Sequence, residues 1–375
     1  MKRQNQSQCA GFTLVEIMIA LALSTVLLSG VVQVYSNSKH TYRMTENVAR
    51  MQENSRFAMD ILTKEIRMAG FSPCPRTDRV AVTLDGGSDE ASNFGTEAIK
   101  GFEGGTSAFP AVFPATGSAP GGARVADSDA FISLRGGDQS YTVTAHNPAA
   151  AEFKVLDTTG LEDGDVLMVC DANNTAILQT SNTTLASGSV VHNSGGAGIT
   201  PGNCTKGLGY PVPDPCTALG TPYGYDTDAQ IVKMVSTLYY VGVSQSGTSR
   251  SLYRRSLNVN SGGILAPGAA VELIDGLESM QILYGLDTTD DTLADEYVTA
   301  DLVDPPGAPT PDNWNNVVSV RIALLTHTPD SVASADDTRS YYLAGTQFDD
   351  TDHGNDKRLR QVYTSTIKIR NRGEQ

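Results

Sequence analysis

The sequence predicts an α+β protein: a long N-terminal helix, apolar in its first half and amphipathic in its second, packed on a large, mostly antiparallel β domain. Three observations carry that expectation. Gly11 to Tyr35 is an apolar run broken by one carboxylate, Glu16. Apolar residues then continue from Met44 to Ala69 at spacings of three and four, which describes one helical face. Beyond Gly70, short β-prone segments alternate with clusters of Gly, Asp and Pro as far as Ile369.

With 375 residues, a net charge of −15 and 40% hydrophobic residues, the chain can bury a sizeable core in one large domain or two small ones. The acidic balance argues against nucleic acid, or an anionic membrane surface, as the main partner of the bulk domain. Met1 to Gly11 is polar, carries Lys2 and Arg3, and reads as a leader. Phe12 to Tyr35 reads as a transmembrane segment. Ile17 to Val34 within it has no charge and, at about 1.5 Å per residue, spans roughly 27 Å of hydrocarbon. Because the basic residues precede the run, the positive-inside rule keeps Met1 cytoplasmic and sends the C-terminal bulk outward. No A-x-A-like site lies near Val34, which favours a retained helix over a cleaved secretory signal.

Glu16 needs a separate account. A carboxylate at the centre of a membrane helix costs about 2.5–3.5 kcal/mol, and less near an end, where Glu16 stands. One reading is a tolerated interfacial acid. The other supplies a cation: a cut between Gly11 and Phe12 would create an α-amine one helical turn upstream, protonated at neutral pH with a reference pKa near about 8. That amine could pair with Glu16 of its own chain or of a neighbour.

Gly11-Phe12-Thr13-Leu14-Val15-Glu16, after a short basic leader and before a long apolar run, resembles the type III signal of type IV pilins and pseudopilins. The resemblance implies cleavage after Gly11 by a prepilin peptidase, N-methylation of Phe12, and pairing of Glu16 with the N-terminal amine of an adjacent subunit during assembly. It also implies a single-pass inner-membrane protein with a periplasmic C-terminal domain, later carried on a surface pilus. Ala49 to Phe71 is similar to the matching stretch of PilW-type minor pilins, and less closely to the J-type pseudopilins of type II secretion. Arg358 to Arg372 resembles the terminal strand of PilW-type proteins, whereas the middle resembles them only loosely, through Asp165 to Cys170 and Asn316 to Thr326. Other minor and major pilins are the partners so implied.

The helical stripe runs through Met44, Val48, Met51, Ser55, Ala58, Leu62, Ile66 and Ala69, widened by Phe57, Met59 and Ile61. The opposite face carries Glu46/Arg50, Arg56/Asp60 and Asp60/Lys64 at i,i+4. Proline is absent until Pro73, and Gly70 is a natural stop. The helix therefore extends from Phe12 to Ala69, roughly 87 Å. A plain membrane anchor has no use for the second stripe, so this helix belongs to the fold.

Residues 71–375 read as the β-rich domain. Phe71 to Gly122 is loop-rich with a short apolar piece, Val80 to Leu84. Strands are expected at Ala130–Leu134, Tyr141–Ala145, Phe153–Leu156, Val166–Cys170 and Ala176–Thr180. A second loop-rich stretch, Ser187 to Asp228, holds Pro211, Pro213 and Pro215 and marks where two lobes would divide. Stronger strand signals follow at Ile231–Val243, Ser251–Leu257, Val271–Ile274, Met280–Tyr284, Val317–Leu325 and Gln361–Ile369. Within Val317–Leu325, Val318, Val320, Ile322 and Leu324 share one face.

Cys9 would leave with the leader, so Cys74, Cys170, Cys204 and Cys216 remain, an even number in an exported chain. Two disulfides are expected, with three connectivities open. The Pro- and Gly-rich loop from Cys204 to Cys216 is easily closed by its own bridge, which leaves Cys74 with Cys170. No C-x-x-C pair or suitably spaced histidine supports zinc instead.

The sequence shows no G-x-S-x-G elbow, Walker loop or H-E-x-x-H helix, and His40, His146, His192, His327 and His353 are scattered. No enzyme, metal or cofactor is expected. Of the acidic stretches Asp287–Glu296 and Phe348–Asp356, the second could offer Asp350, Asp352 and Asp356 around Gly354 to calcium, but the spacing misses the EF-hand template, no bidentate Glu follows, and the stretches read as solvated loops. "GGAGIT" at Gly195 reads as a flexible loop, and the sequons at Asn173, Asn182 and Asn203 carry no functional weight. The favoured function is a minor pilin that contributes to initiation of assembly and to the filament tip. The alternatives are an adhesive or ligand-binding module carried by the pilus, and a minor pseudopilin of a type II secretion system.

Overall fold

The computed structural model describes residues 11–74, 79–85, 97–105, 109–184, 187–195, 198–259, 263–304 and 313–371. The leader positions 1–10, with Lys2, Arg3 and Cys9, lie outside the described residues, as do part of the glycine cluster at Gly195 and Arg372 at the end of the terminal stretch.

Helix α1 runs without interruption from Leu14 to Met68, 55 residues. Thr13 caps its start, and at its end the Ala69 N–H donates to the carbonyls of Glu65 and Ile66. Gly70 then takes a φ of 70°, a left-handed conformation that suits glycine. A Cβ there would also stand 2.8 Å from the Cβ of Ala98. The Gly70 N–H donates 2.8 Å to the Leu134 carbonyl, so the chain passes from helix directly onto sheet. The first half of α1 is exposed all round, while Asn47, Met51, Ser55, Ala58, Leu62 and Ile66 are buried in the second. Met59 and Ile61 are partly buried beside them. Phe57, expected to widen the stripe, is 55% exposed. It lies about 100° of helical rotation from Ala58, beyond the edge of the contact.

The large sheet contains β1 (Val80–Val82), β2 (Ile99–Phe102), β3 (Ala130–Asn147), β4 (Glu152–Val155), β5 (Val166–Cys170), β6 (Thr175–Gln179), β7 (Asn182–Thr184) and β8 (Ser189–Val191). It is completed by β9 (Gln230–Val243), β10 (Arg250–Val259), β11 (Leu265–Pro267) and β12 (Val271–Asp275). β9 is its axis. One edge of β9 pairs along its length with β3, and the other pairs first with β5 and then with β10. β1 pairs with β6 in parallel, and the remaining strand pairs among the described residues are antiparallel. β3 joins two segments that the sequence reads as separate strands. Arg135 to Gln139, which looks like a turn, is absorbed as a register shift between Gly136 and Ser140. Its glycines let backbones approach: a Cβ on Gly137 would stand 3.0 Å from the Lys233 carbonyl oxygen.

A second sheet receives the helix. It is built from β13 (Leu277–Leu286), β14 (Glu296–Val298), β15 (Val317–His327) and, after the β16–β17 hairpin (Tyr341–Leu343, Thr346–Phe348), β18 (Arg360–Lys368), in the order β14-β13-β15-β18. Short helices α2 (Ala300–Val303) and α3 (Asp350–His353) lie in the connections. Ala58, Leu62 and Ile66 share one core with Met280, Ile282 and Tyr284 of β13, Val320, Ile322 and Leu324 of β15, and Ile367 of β18. Phe131 and Tyr239 join from the large sheet. Polar contacts fix the seating. Ser55 Oγ lies 2.8 Å from Thr326 Oγ1, Asn54 Nδ2 donates to the Asp275 carbonyl at 2.9 Å, and the Asp330 N–H donates to Asn47 Oδ1 at 2.9 Å. On the far side of β15, Ala323 and Leu325 pack under the hairpin residues Leu343 and Phe348.

The two sheets are clasped at Ser128 and Asp129. The Asp129 N–H donates to the Met280 carbonyl at 2.9 Å, and Met280 N–H donates to Ser128 Oγ at 3.0 Å. The Asp129 carboxylate accepts from Gly104 N–H at 2.8 Å and from Ile282 N–H at 2.7 Å. Burial, reinforced by the neighbouring carboxyl of Glu103 and only partly offset by those two N–H groups, pushes Asp129 up to about 8.

Two measurements follow from this packing. Leu62→Ala opens a cavity in the helix–sheet core and should cost about 2–5 kcal/mol in urea unfolding of the detergent-solubilised chain; a loss below about 1 kcal/mol would mean the helix is not seated there. For Asp129, the unfolded chain ionises near about 4, whereas the fold holds the proton to about 8. The folded state thus binds more protons in that window and stability falls as pH rises through it. Relative to Asp129→Asn, the wild type should lose up to about 1.4 kcal/mol per pH unit across the window. Parallel pH profiles would refute this.

Candidate functional site

The features that set this chain apart gather at the start of α1. Phe12 is 85% exposed, and a Cβ added to Gly11 would meet nothing within 4 Å. Thr13 is the N-cap. Its Oγ1 accepts from Glu16 N–H at 3.3 Å, while Glu16 Oε2 accepts from both Thr13 N–H and Thr13 Oγ1 at 2.9 Å. This is a capping box, and the signal for it, a threonine three residues before a glutamate at the head of an apolar run, was available in the sequence. The reciprocal bonds satisfy end-of-helix N–H groups and hold the carboxylate over the first turn, on a face it shares with Phe12, Ile17, Ala20, Leu21 and Ser24. An anionic side chain there is also favoured by the helix dipole. The arrangement presents an oriented carboxylate beside an exposed aromatic residue at the tip of an uncovered apolar helix.

The four cysteines of the β domain form two bridges. Cys74, just past the helix, is bonded to Cys170 at the end of β5 across 96 residues, and both are buried. Cys204 is bonded to Cys216 across 12 residues. Cys204 is anchored by its N–H to the Thr83 carbonyl at 2.8 Å, while Cys216 is exposed.

The acidic stretches are committed to their own backbone. Asp287 accepts from Thr289, Asp291 and Thr292 N–H groups, and Asp295 from Thr288 N–H and both Thr288 and Thr289 hydroxyls. Asp349 and Asp352 cap α3, and Asp356 pairs with Arg360 at 2.8 Å. Among the described residues no group of three or more His, Cys, Asp or Glu is arranged to hold a metal ion.

The histidines are not all scattered. His40 is exposed on α1. His327 Nδ1 lies 2.9 Å from the Thr328 carbonyl, and the two ring nitrogens of His353 lie 3.0 Å from the Gly354 and Arg339 carbonyls. His146 and His192, however, come together with ring centroids 5.7 Å apart. Their separation in sequence hid this, because the contact depends on β4 and β8 pairing alongside the end of β3.

The bridges differ in access, and that is testable. Mild reduction of the folded chain followed by alkylation and peptide mapping should open Cys204–Cys216 first. Losing this loop closure should cost about 2–4 kcal/mol. Equal rates at the two bridges would overturn the assignment of Cys74–Cys170 to the protected core.

Comparison with known families adds two matches at opposite ends of the chain. A prokaryotic N-terminal methylation motif covers residues 6–32, and the family described as type IV pilus-assembly protein W covers residues 238–371. The pilin-like protein PilA3 of Thermus thermophilus is 33% identical over 60 residues, 16% of this chain and 26% of that protein, so the chain spans about a quarter of the length of this relative. No solved structure matches. The first match falls on the capped, uncovered end of α1, and the second begins at Leu238 in β9 and takes in the whole sheet that seats the helix. A methylation-type motif at the head of α1 and a PilW match over the sheet that seats the same helix together support a type IV pilin of the PilW type.

Proposed function

We propose that the chain is a minor subunit of a type IV pilus that helps to initiate assembly and sits at the filament tip. The observation that carries this reading is the single uninterrupted α1: its first half is bare and apolar, and its second is locked into the β domain. The bare half cannot remain in water, so it lies in the inner membrane before assembly and among sister helices afterwards. A prepilin peptidase removes residues 1–11, and the new amine at Phe12 is methylated. The retained chain comprises the helix, 12–70, and the periplasmic domain, 71–375. Its partners are other minor and major pilins. A bulky β domain packs poorly in a uniform fibre and suits an end position, where nothing need stack above it.

Glu16 receives the amine of a neighbouring subunit. Pairing offsets the cost of a carboxylate inside an apolar bundle, and removing one partner from such a pair typically costs about 3–5 kcal/mol. The capping box makes Glu16→Gln a sharper variant than a leucine, because glutamine also serves at the third helical position of a capping box. The helix start is preserved and only the charge is lost. Glu16→Gln should insert in the membrane and be cleaved like the wild type, yet its amount in sheared pili should fall at least tenfold. Equal incorporation would make Glu16 a capping residue and nothing more.

A second reading has its own observation. Two further hydrophobic cores lie away from α1, one around Phe102, Phe113 and Tyr240 and one around Phe153, Leu178 and Tyr225. Neither is needed to seat the helix, which fits an adhesive module carried by the pilus. Deleting the gene separates the two: loss of filaments supports initiation, and intact but non-adherent filaments support adhesion.

A further inference from the structure

The core furthest from the helix closes around two histidines. His146 stands near the end of β3, and His192 follows β8 directly. His146 stacks on Phe153 of β4 with centroids 4.1 Å apart, and Phe153 lies 5.1 Å from His192 and 5.8 Å from Tyr225. Among the described residues one polar contact reaches the rings: Tyr225 N–H donates to His146 Nδ1 at 3.1 Å. A nitrogen that accepts carries no proton, so neutral His146 is protonated at Nε2. Among the described residues, that Nε2 and both ring nitrogens of His192 are buried without a hydrogen-bond partner. His192 is 0% exposed.

These rings lie where a three-stranded extension, packed on the distal core through Phe153, Val155 and Val190, meets the end of β3. β4, β8 and β7 form a flap whose link to the main sheet is the pairing of β4 with the end of β3, across a register shift between Val143 and Ala145. His146 contributes the sheet side of this joint, Phe153 and His192 the flap side, and Tyr225 the loop that closes over it. We propose that His146 and His192 form an acid-sensitive latch, closed while both imidazoles are neutral and opened by their protonation, which releases the β4–β8–β7 flap and exposes the apolar surface around Phe153 and Tyr225.

Among the described residues little compensates an imidazolium: the backbone at His192 itself favours charge there, but burial outweighs it. From the loop side the nearest cation is Lys206, tied to the Ala149 carbonyl at 3.0 Å, and it opposes charge on His192. On β4, Glu152 is engaged by Lys154 at 2.8 Å and by Ser189 Oγ at 2.7 Å. Asp171 is taken by the Tyr223 hydroxyl at 2.8 Å, and the Tyr225 hydroxyl accepts from Asn174 Nδ2 at 2.6 Å. The two rings also repel each other once charged. Burial first, then the field of His146, holds His192 down to about 3, and burial holds His146 down to about 4. In the opened state both titrate near about 6.5. The opened state therefore binds more protons below that pH, and its population rises by up to about tenfold per pH unit for each ring. A metal is a poorer occupant, because two imidazoles supply too few ligands for a tetrahedral site and Lys206 opposes a cation.

Hydrogen–deuterium exchange on the full chain in detergent, compared between about pH 7.5 and about pH 5 after correction for intrinsic rates, tests the latch. Peptides covering 145–155, 187–195 and 222–229 should lose protection at least tenfold at the lower pH, while peptides from β13 and β15 keep it. The double variant His146→Phe/His192→Phe, which retains the aromatic packing, should keep flap protection at both pH values. Unchanged flap protection in the wild type overturns the proposal, whether or not the variant folds. So does acid opening that persists in the folded double variant, or closure at low pH produced by added zinc.

Discussion

The seam between α1 and the four-stranded sheet is the contact on which the rest of the molecule depends. Ala58, Leu62 and Ile66 are each fully buried there, and burying a leucine or isoleucine side chain stabilises by about 1.5–3 kcal/mol. Apolar contact alone would let the helix slide or roll. The polar contacts at Asn47, Asn54 and Ser55 prevent this, since a slip of one residue would rotate them by about 100° away from Asp330, Asp275 and Thr326. Because α1 is unbroken, the rotation fixed at Ser55 is carried towards Glu16. The direction in which the capped end presents its carboxylate is thus set by side chains far along the same helix.

The receiving sheet holds its shape because it is supported from both sides. β15 is buried on both faces, by α1 on one and by the hairpin on the other. Arg360 secures the hairpin side. Its side chain is 1% exposed and reaches Glu278 of β13 at 2.6 Å, Asp356 at 2.8 Å and Asp337 at 3.3 Å, with the His353 carbonyl at 3.0 Å. Burial pushes the Asp337 carboxyl up, but hydrogen bonds from Arg339 and Tyr341 outweigh it and hold the group down to about 2. A buried charge cluster of this kind is weak evidence for net stability, because desolvation costs nearly as much as pairing returns. Its geometric demand is strong: one guanidinium satisfies groups from three segments only in one arrangement.

The long elements were legible because their signals are periodic. The Met51–Ile66 stripe and the β-branched runs at Val166, Ile231 and Val317 each bury a continuous surface, and burial is what hydrophobic spacing records. The capping box at Thr13–Glu16 was equally written in the sequence, as a threonine three residues before a glutamate at the head of the apolar run. Other features were not readable. β7, β8, β11, β14, β16 and β17 are three residues each, too short for a period to appear, and they exist because a neighbouring edge offers hydrogen bonds. Gly136 and Gly137 look like a turn, and only the approach of Phe71 and Lys233 turns them into a bulge within one strand. The His146–His192 contact and the reach of Arg360 to Glu278 depend on tertiary pairing that no local pattern encodes.

The fold divides its labour along β3 and β9. Their inner ends, Phe131 and Tyr239, belong to the core under α1, and their outer ends, Tyr141 and Ile231, belong to the distal core. The two regions therefore share strands rather than a linker, and a rigid sheet connects them. The helix exit is fastened to the outer strands by the Cys74–Cys170 bridge, by the bond from Gly136 N–H to the Phe71 carbonyl at 2.6 Å, and by Ser72 Oγ donating to Met168 Sδ at 3.0 Å. The PilW match begins at Leu238, near the inner end of β9, so it takes in the seam and leaves the outer ends to the distal region. An arrangement of this kind lets the distal core rearrange at the β4–β8–β7 flap without loosening the seam. Opening the flap breaks the β3–β4 pairing and the packing of Phe153 in the distal core, whereas the Phe131–Tyr239 stack at 5.2 Å and the clasp at Asp129 lie at the opposite end of β3.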